Sequence, residues 1–148
     1  EATYIANLRY AADRFATIGA TVMIEPINSR IDMPSYWLDS VDQGFCLLEA
    51  VDRSNVKLQY DIYHAQIMAG DLARTLEANL QRIGHIQIAD NPGRHEPGTG
   101  EINYPVLFAQ LDRLGYEGWV GCEYKPLTTT EAGLGWLPNS KLSSCGAK

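Results

Sequence analysis

Four oxygen-bearing side chains stand at or near the ends of short β-branched segments: Glu25 after TVMI, Asp61 closing VKLQYD, Gln87 inside HIQIAD and Glu123 inside WVGCEY. If each segment is a strand, alternation puts Glu25 with Met23, Asp61 with Gln59 and Lys57, Gln87 with His85, and Glu123 with Gly121. The other parity is mostly apolar: Val22 and Ile24, Val56, Leu58 and Tyr60, Ile86 and Ile88, Val120, Cys122 and Tyr124. A parallel sheet is normally covered on both faces, so these polar groups face a shielded interior. Burying an acid without a partner costs several kcal/mol, of the order found for unpaired polar groups in apolar surroundings. One such residue is as well explained by an end-of-strand hydrogen bond or cap. Four on one parity favour convergence on a shared partner. Glu, Asp, Gln and Glu offer only oxygen, which suits Mg²⁺ or Mn²⁺ over Zn²⁺.

The elements that must position these groups can be read in order. Ile5, Leu8, Ala12 and Phe15 recur at helical spacing before Gly19. Strands are expected over 21–25, 56–61, 85–90 and 119–124. A helix over about 41–52 carries capping-box spacing at Ser40 and Gln43. A second has Leu72, Leu76, Leu80 and Ile83 on one side, with Asp71 as N-cap. A third spans about 105–114, with Pro105 at its start and Gly115 past its end. A weak last helix is expected from Thr128, with Glu131 at capping spacing and Gly133, Gly135 and Pro138 limiting it. The alternation of strand and helix predicts a parallel sheet with right-handed crossovers. One domain is expected over 1–137, followed by an irregular tail over 138–148.

Composition narrows the function class. The chain has 148 residues, 45% hydrophobic and 20% charged, with a formal net charge of −6. That charge opposes binding to a phosphate backbone, so no nucleic-acid partner is expected. No apolar run reaches the ~20 residues that span a bilayer, so no membrane partner is expected either. The N-terminal residues lack a basic-then-apolar signal pattern. Cys46, Cys122 and Cys145 are odd in number and have no CxxC spacing, which argues for a reducing, cytoplasmic setting.

The runs IEPIN (24–28), YDIYHAQ (60–66), HIQIADNPGRHEPGTGEINYP (85–105) and WVGCEYKP (119–126) resemble the hydroxypyruvate isomerase family, within the xylose-isomerase-like TIM barrels. The resemblance implies an α/β (β/α)8 TIM-barrel fold, of which residues 1–137 supply about the last four βα units. It implies isomerisation of hydroxypyruvate to tartronate semialdehyde through an enediol, in glyoxylate metabolism, with a small hydroxy-keto acid as substrate. By the same resemblance Glu25 and Glu123 are the catalytic proton donor and acceptor. Glu25, Asp61, Gln87 and Glu123 occupy the positions of the divalent metal. Many relatives have His where this chain has Gln87. His64 and Arg94 match substrate-facing residues, and Lys125 is a second candidate for the substrate carboxylate.

Other residues carry plainer expectations. His85 reads as a hydrogen-bonded core residue, and Lys57 as the partner of an acid low in the sheet. His95 and Glu96 fit the mouth of the site and solvent equally well. Gly93, Gly98 and Gly100 lack phosphate-loop spacing and read as loop-shaping residues. Cys122 reads as core. The alternatives are a 2-oxo-tetronate isomerase or related sugar isomerase or epimerase, an endonuclease-IV-like phosphodiesterase and an inactive half-barrel. The phosphodiesterase would need several zinc ions and many histidines, where this chain has three. Four strands leave open edges, so the expected partners are the missing N-terminal half or a second copy in a homo-oligomer.

Overall fold

The computed structural model describes residues 1–137, and the expected tail over 138–148 lies outside them. Four strands, β1 (Val22–Ile24), β2 (Val56–Asp61), β3 (Ile83–Ile88) and β4 (Val120–Cys122), form one sheet in the order β1-β2-β3-β4. Every neighbouring pair is parallel. Helices α1 (Ala2–Ala16), α2 (Val41–Val51), α3 (Ile62–Met68), α4 (Leu72–Asn79) and α5 (Tyr104–Arg113) alternate with them, as in one half of a TIM barrel.

The apolar parity does the packing. Ile24, Leu58, Tyr60, Ile86 and Ile88 are buried with Leu8 and Ala12 of α1, Phe45 and Val51 of α2, Leu76 of α4 and Leu107 and Leu111 of α5. Val22 and Val120 are only partly buried, since β1 and β4 each have one neighbour. On the second face Met23 is exposed, and Lys57, Gln59, His85 and Gln87 are half-buried. No layer covers that face among the described residues. None of the described helices is long and apolar enough to cross a membrane.

Capping explains several boundaries. Ser40 Oγ accepts from the Gln43 N–H at 3.2 Å, while the Gln43 side chain reaches the N–H of Asp39 instead of Ser40. Asp61 both ends β2 and caps α3, its Oδ1 accepting from the N–H groups of Tyr63 (2.8 Å) and His64 (3.4 Å). Strand therefore passes into helix with no intervening loop.

Five expectations need correction. The helix carrying Leu72 and Leu76 stops at Asn79; Leu80–Arg82 is a 3₁₀ turn, and Ile83 opens β3 opposite Leu58. Asp71 stands at the N-cap position in a left-handed conformation without a side-chain cap bond, its carboxylate held by Arg74 at 2.9 Å. The third strand therefore runs two residues earlier than 85–90. Its end is set by Asp90, whose carboxylate accepts from Asn91, Gly98 and Ile102 N–H groups and draws the chain into the following loop. The last helix is one 3₁₀ turn, Ala132–Leu134, anchored by Thr129 rather than Thr128. Among the described residues β4 is followed by turns and one 3₁₀ helix, and Cys122 is exposed and not a core residue.

Candidate acid and metal site at the strand ends

Glu25 follows β1, Asp61 ends β2, Gln87 sits in β3 and Glu123 follows β4, whose path is fixed by the Glu123 N–H bond to Ile88 O at 3.1 Å. Parallel strands thus deliver all four to the C-terminal edge of the sheet. Carboxylate oxygens of Glu25, Asp61 and Glu123 and a ring nitrogen of His64 all lie within 4.8 Å of one another. Gln87 shares the face, and its Oε1 accepts a hydrogen bond from Gln59 Nε2. The Gln59 amide also favours the charged form of the Glu25 carboxylate.

Crowded acids in a partly dry site resist ionisation. Burial, then the charge of Glu123, pushes Glu25 from 4.5 up to about 6. Burial, then Glu123 and Glu25, raises Asp61 well above the carboxylate range against the pull of the Tyr63 N–H. Burial, then the Arg94 charge, lowers His64 to about 4, so its ring is neutral at pH 7. Asp61 Oδ2 is buried and has no hydrogen-bond partner among the described residues. Such an orphaned oxygen in a cluster of three acids, with the Gln87 amide on the same face, fits a hard divalent cation, and among the described residues no sulfur or second imidazole joins the group.

Arg94 is the cation the protein itself supplies. Its Nη2 meets Glu123 Oε2 at 2.7 Å, its Nη1 lies 3.5 Å from Asp32 Oδ1, and its guanidinium sits 5.0 Å from the Tyr63 ring centre. The backbone of Arg94 is left-handed, φ 55°, within the loop built on Asp90. That loop is tight: a Cβ on Gly100 would meet Asn91 O at 2.0 Å.

Lys125 is exposed and touches the site through its backbone, which donates to Arg94 O and accepts from His95 Nδ1. Its ammonium forms no ion pair among the described residues. His95 and Glu96 are fasteners: Glu96 Oε2 accepts from the Leu127 N–H at 3.0 Å, so both tie the loop to the segment after β4. Lys57 bonds the carbonyl of Gln81 and not an acid. Four contributors escaped the sequence reading. Gln59 was visible on the polar parity. Asn28, Asp32 and Tyr63 lie in the loop after β1 and in α3, and only the four-residue Asn28–Asp32 spacing marked a local turn.

A family model described as xylose isomerase-like TIM barrel matches residues 1–140. A 2-oxo-tetronate isomerase of Cupriavidus necator is 54% identical over 136 residues, covering 92% of this chain and 52% of the relative. A hydroxypyruvate isomerase of Escherichia coli is 52% identical, again covering 92% and 52%. A crystal structure described as AP endonuclease, family 2, from Brucella melitensis superposes with a TM-score of 0.88 at 51% identity, covering 90% of this chain and 52% of that one. A 3-keto-D-glucoside 4-epimerase from E. coli gives 0.76 at 30% identity, covering 84% and 46%. The chain spans about half the length of the curated relatives it matches.

Proposed function

The chain belongs to the xylose isomerase-like TIM barrel family, and from that premise we propose that it carries the acid–base half of an isomerase interconverting hydroxypyruvate and tartronate semialdehyde. The observation that supports this reading best is the convergence of Glu25 and Glu123 around the orphaned Asp61 oxygen. The hydroxypyruvate isomerase and the 2-oxo-tetronate isomerase at more than 50% identity support the same class.

The reaction moves hydrogen from C3 to C2. One glutamate accepts the C3 proton as the C2 carbonyl oxygen gains a proton, giving a cis-enediol. The other glutamate delivers a proton to C2 as the C3 hydroxyl loses its own, leaving the aldehyde. Glu25 suits the accepting role, because a carboxylate poised near 6 is ionised at pH 7 yet more basic than a free one. Glu25, Asp61, Gln87 and Glu123 would hold a divalent cation, Mg²⁺ or Mn²⁺, which supplies Lewis-acid polarisation of the substrate carbonyl. Arg94 offers a forked cation for the substrate carboxylate, exchanging part of its bonding to Glu123 and Asp32. His64, buried at 3% exposure, faces the same space.

A 2-oxo-tetronate substrate is the second reading, favoured by the 54% identity to the Cupriavidus necator protein. Both substrates use the same proton transfer and differ by length, which the walls contributed by other strands set. The phosphodiesterase reading lacks its ligands, since His64 is the one histidine in the cluster among the described residues. The free Cys46 and Cys122 suit a cytoplasmic setting. Comparing kcat/KM for hydroxypyruvate and a 2-oxo-tetronate in the natively sized protein decides the substrate. Turnover of neither removes the isomerase reading.

A further inference from the structure

Asn28 is fully buried, 0% exposed, yet the chemistry above does not use it. Its Oδ1 accepts from the N–H groups of Ile31 and Asp32, both at 3.0 Å. Those two backbone donors settle the orientation of the amide, because the flipped form would set an NH₂ against two N–H groups. The Nδ2 hydrogens are then both committed, one to Asp32 Oδ2 at 2.5 Å and one to His64 Nδ1 at 2.6 Å.

An amide NH₂ can only donate, so His64 Nδ1 must accept. A ring nitrogen that accepts carries no hydrogen, and the neutral ring places its hydrogen on Nε2. Nε2 lies 3.6 Å from Asp61 Oδ2, the oxygen that has no partner, too far for a good hydrogen bond and close enough to share one space. For Nε2 to bind a metal ion, the hydrogen would have to sit on Nδ1, against the Asn28 NH₂. The same Asp32 carboxylate that holds Asn28 also lies 3.5 Å from Arg94.

We propose that Asn28 is a positioning residue which, anchored by Asp32, locks His64 as an Nε2–H donor aimed at the substrate oxygens and so removes it from the metal ligands. The role of that donor rests on the isomerase reading; the tautomer does not. An Nε2–H there meets the oxygen on which enediol charge develops, and Asp32 sets both this donor and Arg94 from one carboxylate.

The test is long-range ¹⁵N–¹H NMR of the histidines in the natively sized protein with Mg²⁺, His64 being assigned by the signals lost in His64→Gln. The expected pattern for His64 is a protonated Nε2 and a bare Nδ1. Asn28→Asp replaces the donor with an acceptor, so the hydrogen should move to Nδ1, or both nitrogens should carry one. In that variant kcat should fall roughly 10²-fold, the usual size for a lost transition-state hydrogen bond. A bare Nε2 in the wild-type protein overturns the inference even if the variant does not fold, and so does an unchanged ring in a folded Asn28→Asp. A protein with the Nε2–H ring and no isomerase activity would instead overturn the isomerase reading alone.

Discussion

Two acids of the site are held in a state that water would not favour. Glu25 and Asp61 have folded-state pKa values raised above their ordinary ones. A raised carboxyl favours the fold while protonated, below its unfolded value, and that contribution is lost as pH climbs through the folded value. For Glu25 the window runs from 4.5 to about 6, and for Asp61 it reaches higher. Without a cation, the cluster should therefore weaken the protein progressively through this window and level off above it. Mg²⁺ should raise Tm more at pH near 7.5 than near 5, by a melting series at fixed ion concentration. An equal rise at both pH values would mean that the ion binds elsewhere. Glu25→Gln and Glu123→Gln should each lower kcat by roughly 10²–10⁴, the usual range for general acid–base catalysis. Each glutamine keeps an oxygen and nearly the same shape, so circular dichroism should show the fold retained. Near-normal turnover in either would place the proton transfer on another residue.

At the scale of elements, the loop after β3 is as much part of the site as the strands. Asp90 gathers its turns, Arg94 projects from it, and His95 and Glu96 fasten it to the chain beyond β4. Gly100→Ala would drive a Cβ into Asn91 O and displace that loop. Its kcat/KM should drop about 10²-fold, because a shift near 1 Å at a positioning group has that effect. The β2–β3 core should hold the overall melt close to the parent. Unchanged kcat/KM would show that Arg94 does not depend on the loop's shape. The strands were legible because side-chain parity survives in the sequence, and with it Glu25, Asp61, Gln87 and Glu123. Ile83 was misassigned because its spacing from Leu76 and Leu80 fits a helix, while its β-branched side chain pairs in a strand with Leu58. Asn28 and Asp32 were hidden because their partners lie across the fold: Asn28 meets His64 36 residues on, and Asp32 meets Arg94. Cys122 followed the apolar parity, but parity cannot say whether a helix arrives to cover it.

At the scale of the whole molecule, four strands make an incomplete surface. β1 and β4 each present an unpaired edge among the described residues, and Met23, Lys57, Gln59, His85 and Gln87 lie on a face without a covering layer. Trp119, entering β4, is 86% exposed. Parallel sheets with one face open and bare edges associate or aggregate. The 148-residue chain by itself should therefore sediment as an assembly, or regain a single species only with the complementary half of a barrel. A monodisperse 16.4 kDa monomer with a cooperative melt and full activity would contradict this. If these strand ends perform an enediol isomerisation, the hydrogen shift is visible in the substrate itself. Its most direct measurement is proton NMR of hydroxypyruvate incubated with the natively sized protein, before and after the divalent ion is chelated. Tartronate semialdehyde signals should grow with the ion present, stop growing on chelation and resume when Mg²⁺ or Mn²⁺ is restored. Hydroxypyruvate left unchanged by the ion-loaded protein would contradict it.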